Sequence, residues 1–412
     1  MLAMTRNAMP SFRTAIHWFF IALLALSLAP VTEAKKKKKA EAPQSPQEVA
    51  PVIDTSKLVW PQPPDIARIR WLSELRGEQP PPLETKSKKK KQGWMDRLAG
   101  VQQQDFTRPA LVHILAKPYG VVEDSKGLVY VGDTYVGAVF IINLETQKME
   151  FIRNGAEAKF KNIIGLAMDD SDRLFVVDAA LHQVSVFNPN HKLEMVFGTD
   201  DLARPGGAAI DTENRFLYVV DTEKEHVLVY DADNYKLLRT IGGPAKSEGD
   251  EDPGTFARPT NVTVDPDGNV YVTDTINTRI QIFDADGNFI SMFGKPGDGP
   301  GYFERPKGIA LDADGHIWVA DAAQGRIQIF DKQGHLLAYF GYPGTLTGML
   351  GLPAGLYIDK LNRVLVTEQL KGRLQVFRYI TDAEAAVART ERDKRAGMSS
   401  PPMAAQTAEV KK

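Results

Sequence analysis

Two stretches of the chain read almost as one: "RPTNVTVDPDGNVYVTDTINTRIQIF" at residues 258–283 and "RPKGIALDADGHIWVADAAQGRIQIF" at residues 305–330. Each opens on Arg-Pro, alternates apolar and polar positions, and breaks at Asp-x-Asp-Gly. Each then resumes as an apolar run closed by Asp and ends in Arg-Ile-Gln-Ile-Phe. Alternation with a period of two marks strands. The glycine of each break supplies the positive φ that a tight hairpin needs, and the aspartates cap their own turns.

Working outward, the acid that closes the second run recurs as Asp133, Asp178, Asp221, Asp274, Asp321 and Glu368, with spacings of 45, 43, 53, 47 and 47 residues. The longest spacing holds an insertion, "GGPAKSEGDEDPGTF" (242–256). Nine residues after each acid stands a large apolar residue: Ile142, Phe187, Tyr230, Phe283, Phe330 and Phe377. A further acid closes each first run, read as Asp124, Asp170, Asp211, Asp265, Asp312 and Asp359. One copy parses into four strands, "GIALD", "HIWVAD", "RIQIF" and "HLLAYFG", rich in residues suited to a pleated surface. Four-stranded sheets at this period bury their faces only against their neighbours, which is the logic of a β-propeller. Six blades close a ring and leave no long open edge.

The sixth copy stops after "RLQVF" (373–377) without a fourth strand, and "RIRWLSEL" (68–75) is a strand to spare. The expected fold is therefore an all-β, six-bladed propeller of four-stranded blades whose last blade is completed by an N-terminal strand, flanked by disordered tails and short helices. The expected organisation is a signal peptide (1–34), a disordered Lys/Pro-rich linker (35–64) and the closing strand (65–77). A basic linker with a short helix, "GWMDRLAGV", follows (78–107), then the propeller (108–380) and a helical, then disordered, tail (381–412).

Arg6 and Arg13 precede an apolar run, Trp18 to Ala29, and "APVTEA" ends with small residues at Thr32 and Ala34, the pattern of an export signal. The run falls short of the roughly 20 residues of a membrane span. The expectation is an exported chain, periplasmic or extracellular, with an uncleaved N-terminal anchor as the alternative. Lys35–Lys39 opposes it, because positive charge there resists translocation.

The net charge of −2 on 412 residues hides an asymmetry. Residues 35–100 carry 15 Lys and Arg against 8 Asp and Glu, whereas residues 101–380 carry 27 against 38. An acidic body argues against nucleic acid as a partner. Lys35–Lys39 and Lys88–Lys91 are candidates for contact with a membrane or envelope surface. Cysteine is absent, which excludes disulfides, thiol nucleophiles and Cys-bound metal.

The pattern "RPxGhAhDxxGxhaVADxxxxRIQhF" resembles the NHL-repeat family of six-bladed propellers, closely at 258–294 and 305–341 and more loosely in the copies starting near 118, 163, 204 and 352. With the export signal and the "PPD…RIRWL" lead-in (63–72), the resemblance is to exported bacterial propellers. It implies a binding scaffold for a protein or an extracellular polymer and a monomeric propeller. The family also includes RNA-binding members, a reading that requires a cytoplasmic chain. Enzymatic relatives include amidating lyases, and similar propellers include lactone hydrolases and streptogramin lyases, several with a His-bound metal. That makes a metal-dependent lyase or lactonase the alternative function.

The segments joining one blade to the next, "AKPYG", "ARPGG", "ARPTN" and "ERPKG", share a face with the loops between second and third strands. Such loops are where repeat arrays bind. Lys117, Tyr119, Arg204, Arg258, Arg305 and Lys307 are the candidate binding residues, ringing the channel mouth. Asp274–Arg279, Asp321–Arg326 and Glu368–Arg373, each five residues apart, are expected to staple their blades. "DADG" fails as a calcium loop because His316 stands where an oxygen ligand is needed. His113, His182, His191, His226, His316 and His335 do not converge, and there is no Gly-x-Ser-x-Gly elbow. The expectation is a chain without catalytic residues, metal or cofactor, and not an enzyme.

Overall fold

The computed structural model of the chain describes residues 54–77, 113–153, 159–244 and 252–395. The expected signal peptide, both lysine runs, the short helix at 93–101 and the tail beyond 395 lie outside them. Six antiparallel sheets are arranged around an axis. Their innermost strands are Pro118–Glu123, Ile163–Met168, Pro205–Asp211, Pro259–Val264, Pro306–Leu311 and Pro353–Ile358. Consecutive inner strands are neighbours, and Pro353–Ile358 meets Pro118–Glu123 to close the ring. The molecule is a six-bladed β-propeller of four-stranded blades.

The stretch at 305–330 is most of blade five. Pro306–Leu311, Ile317–Asp321, Arg326–Phe330 and Leu336–Phe340 pair in order, with Ile317 opposite Phe330 and Asp321 opposite Arg326. The middle strands lie between neighbouring sheets, so Ile317–Asp321 is buried at every residue. That is why these strands read as continuous apolar runs rather than alternating ones. The outer strands are the most exposed to water, as in Phe289–Phe293. Apolar clusters form between adjacent blades; Trp318, Phe340, Phe377 and Tyr379 join blades five and six.

Ile69–Leu75 pairs with Arg373–Tyr379, Ile69 opposite Tyr379 and Leu75 opposite Leu374, as the missing fourth strand required. A fifth strand, Val59–Trp60, lies outside it and was not anticipated. It exists because Trp60 has a pocket to fill, its ring 5.7 Å from Phe340 and 5.9 Å from Phe377. Under the seam Arg373 is wholly buried. Its guanidinium donates to Glu368 (2.8 Å), Glu74 (2.6 Å) and the carbonyls of Leu346 (3.0 Å) and Met349 (2.7 Å). The chain then enters a helix, Asp382–Arg395, started by a capping box in which Thr381 and Glu384 exchange backbone and side-chain bonds.

Of the three expected staples, two form. Arg279 donates to Asp274 and Arg373 to Glu368, each at 2.8 Å between buried groups. The Asp321–Arg326 pair does not form. Both Asp321 oxygens are taken by backbone N–H groups, while Arg326 donates to the Asp298 carbonyl (3.2 Å) and covers the Tyr339 ring at 5.0 Å. In blade two the first-strand acid is Asp169, not Asp170. Met168 ends that strand, and Asp169 caps the turn by accepting from Ser171 N (3.0 Å) and Arg173 N (2.8 Å). Asp170 pairs instead with Arg215.

Candidate functional site at the lead-in mouth

The acids that end the second strands do more than close blades. Asp133 accepts from the N–H groups of Ala116 and Lys117 (2.7 and 2.9 Å), and Asp221 from Ala203 and Arg204 (2.6 and 3.1 Å). Asp274 accepts from Ala257 (2.8 Å), and Asp321 from Glu304 and Arg305 (2.7 and 3.1 Å). Each acid thus fixes the backbone of a lead-in, and among the described residues none of these acids pairs with the cationic side chain that its lead-in carries. Threonines complete the blade-to-blade links: Thr222 donates to the Pro259 carbonyl (2.8 Å) and Thr275 to that of Pro306 (2.8 Å).

The axis is narrow for a geometric reason. The third residue of the inner strand is Gly120, Gly165, Gly207, Asn261, Gly308 or Gly355. A Cβ on Gly165 would stand 2.5 Å from the Gly206 carbonyl oxygen, and one on Gly355 only 1.9 Å from that of Tyr119. Backbones touch there, and the channel beyond is a cavity of about 180 Å³ lined by small and apolar groups such as Val122, Ala167, Ala209 and Ala310. The channel therefore separates two mouths.

At the lead-in mouth a cavity of about 630 Å³ is lined by Tyr119, Arg204, Arg258 and Lys307, together with Asn162, Thr222, Glu223, Glu225 and Thr260. Four of the six expected residues meet there. Lys117 does not: it is exposed and covers the Tyr135 ring at 5.9 Å. Arg305 stands beside the cavity, close enough for its charge to bear on Lys307. Asn162, which fills in blade two the slot that Arg204 fills in blade three, and the glutamates of the "DTEKEH" loop went unnoticed because neither carries the Arg-Pro signature.

Lys307 and Tyr119 occupy the second position of their inner strands, where the other blades have Ile164, Gly206, Thr260 and Ala354. Small neighbours leave Lys307 room, and its ammonium lies 5.5 Å from the centre of the Tyr119 ring. Burial, and secondarily the charge of Arg305, holds the Lys307 amine below the usual lysine range. Burial alone pushes Tyr119 up to about 12. Arg258 adopts a left-handed backbone, φ 48°, and its N–H donates to Glu225 (3.1 Å). Among the described residues, no carboxylate pairs with the side chains of Arg204, Arg258, Arg305 or Lys307, whereas Arg173, Arg215, Arg279, Arg363 and Arg373 are all paired.

The opposite mouth, about 660 Å³, is lined by Glu123, Asp124, Asp169 and Asp359 with Lys126 and Arg363. Burial, reinforced by the Asp359 carboxylate, pushes Glu123 up to about 7 although Arg363 donates to it at 2.9 Å. A carboxyl raised in the folded state contributes stability that is full below its unfolded pKa and lost as pH rises through the folded one. For Glu123 that window runs from 4.5 to about 7. The urea midpoint should fall across this window, and Glu123→Gln should flatten the fall; parallel pH profiles for the two proteins would refute the assignment.

A His-bound metal does not fit either mouth. Among the described residues no histidine lines either mouth. Among the described residues the potential ligand atoms that gather are those of Asp312, Asp314 and His316. They form a hairpin turn: Asp312 accepts from the N–H groups of Asp314 and His316, from Trp318 Nε1 (2.9 Å) and from His316 Nδ1 (2.9 Å).

The fold and the mouth define a closed propeller with an unpaired cationic entrance to its axis. Residues 255–345 match a family model described as a 6-bladed beta-propeller. Over 110 residues, 26% of the chain, it is 30% identical to a probable peptidyl-alpha-hydroxyglycine alpha-amidating lyase of Caenorhabditis elegans. The chain spans about a third of that relative, 31% of its length. A protein of unknown function from Bacteroides thetaiotaomicron superposes with a TM-score of 0.51 at 16% identity, covering 64% of this chain and 70% of the other. Virginiamycin B lyase from Staphylococcus aureus covers 64% of this chain and 96% of its own at 14% identity, with a TM-score of 0.48. The expectation of a non-enzyme is thereby corrected. That expectation rested on the lack of a histidine triad or serine elbow, yet a sequence relative of this propeller is named as a lyase.

Proposed function

We propose that the chain is a lyase-type propeller enzyme of the NHL kind that takes an anionic substrate at the lead-in mouth. The observation that carries the reading is the cluster of Arg204, Arg258, Arg305 and Lys307 around one open cavity without carboxylate partners. Cations left unpaired beside a partly dry cavity are poised for a carboxylate, which arginine holds through two parallel hydrogen bonds. The similarity to a peptidyl-alpha-hydroxyglycine lyase supports the same chemistry, since such a substrate ends in a carboxylate. In its cleavage the hydroxyl proton is removed, the C–O bond becomes a carbonyl, the C–N bond breaks and the nitrogen takes up a proton. Cationic groups at the mouth would hold the carboxylate through these steps.

The test is turnover of a peptidyl-α-hydroxyglycine and related anionic hemiaminals by the full chain, with release of the carbonyl product followed. Changing Arg204 and Arg258 together to Ala should lower kcat/KM by about a hundredfold, the factor for two charge-assisted hydrogen bonds of ~1.5 kcal/mol each. Absence of turnover by the wild-type chain, or full activity in the double variant, would overturn the reading.

A further inference from the structure

We infer that Lys307 is an imine-forming lysine and that the lead-in cavity takes a small 2-oxo acid, its carboxylate on Arg204 and Arg258 and its carbonyl on the Lys307 amine. The inference rests on the reading of this mouth as an anion site and adds a covalent step to it. Three features of the structure converge on it. Lys307 is the sole amine in the axial column of second positions, and it lines the same cavity as both arginines. Among the described residues it has no carboxylate partner and no hydrogen bond, and its ammonium lies over the face of Tyr119, 5.5 Å away. A lysine in this setting is not engaged in holding the fold, and Ala354 at the same position of the next blade leaves space beside it.

The environment also makes the amine nucleophilic. A lysine beside another cation and partly out of water yields its proton more readily, and the neutral amine is the species that attacks carbonyl carbon. Burial and Arg305 both act in that direction. An arginine carboxylate clamp and a neutral amine in one cavity together match a 2-oxo acid, in which carboxylate and carbonyl are adjacent. The step balances without a co-reactant. The Lys307 lone pair adds to the carbonyl carbon, a proton moves from nitrogen to oxygen, and water leaves with formation of the C=N bond. Protonated, the imine is a cation lying over the Tyr119 ring, a favourable placement.

The experiment treats the full chain with glyoxylate and cyanoborohydride, which reduces an imine to a stable carboxymethyl-lysine, and maps the modified lysines by mass spectrometry. Lys307 is expected to be labelled first, and oxalate, an anion without a reactive carbonyl, should suppress that labelling while leaving surface lysines unchanged. Acetaldehyde, which lacks the carboxylate, should show no preference for Lys307. Changing Arg204 to Ala should slow labelling of Lys307 about tenfold, the factor for one charge-assisted hydrogen bond of ~1.5 kcal/mol. Labelling spread evenly over the lysines, or oxalate without effect at Lys307, would overturn the inference. The two proposals fail separately. Lys307 labelled in a chain without turnover keeps this inference and sinks the lyase reading. A Lys307→Met chain with full turnover and no selective labelling in the wild type does the reverse.

Discussion

A chain lacking residues 54–77 is expected to melt at least about 5 °C lower than the full chain, the shift that roughly 3 kcal/mol produces in a domain of nearly 300 residues. The deletion removes both outer strands of blade six. It strips the backbone ladder from Arg373–Tyr379, uncovers Phe377 and Phe340 where Trp60 and Ile69 pack, and takes Glu74 from buried Arg373. A propeller is stable because each sheet is covered on both faces and the ring has no open seam. Blade six is the one blade made from both ends of the sequence, so losing its N-terminal strands opens the seam. Melting followed by circular dichroism decides it; an unchanged midpoint would mean that these strands decorate the ring rather than close it.

The second large effect is expected at the pair beneath that seam. Glu368→Ala should cost about 3–5 kcal/mol, because it leaves a guanidinium with no exposure beside a cavity and without its principal counter-charge. Arg326→Ala, in the blade-five pair that matches Glu368–Arg373 by spacing, should cost no more than about 1 kcal/mol, since Arg326 has no carboxylate partner and binds at the surface. The two acid–arginine pairs look alike in sequence. Urea unfolding of both variants separates them, and equal losses would contradict the difference in burial on which the expectation rests.

That contrast shows where reading the chain residue by residue stops. "IWVAD" and "RIQIF" carry their own strand signals, and the glycines of "DPDG" and "DADG" carry their own turns, so blade number and strand order were legible without coordinates. The spare strand at 68–75 was legible too, because a sixth copy lacking one strand leaves a single place for it. The roles of the acids were only half legible. Spacing of five residues suggested three staples, but whether Asp321 meets Arg326 depends on which N–H groups reach it first, and those belong to Glu304 and Arg305 of the neighbouring lead-in. The candidate site was legible in part for the same reason. The Arg-Pro lead-ins announced Arg204, Arg258 and Arg305, but nothing in "DTEKEH" or "KNIIG" announces Glu225 or Asn162 as their neighbours.

Local patterning thus determined the blades, their count and the face on which the lead-ins fall, because hairpins and strand alternation are short-range properties that repeat with the sequence. The tertiary structure decided what those lead-ins present. The acids bind backbone amides 16 to 18 residues upstream, and none of them reaches the four lead-in cations, which have no carboxylate partner among the described residues. Closure of the ring then brings the inner strands of blades five and one to one axis, with blade six between them, so that Lys307 loses part of its water and stands over Tyr119. Desolvation and the absence of a counter-charge are sums over several blades, and no single repeat contains them.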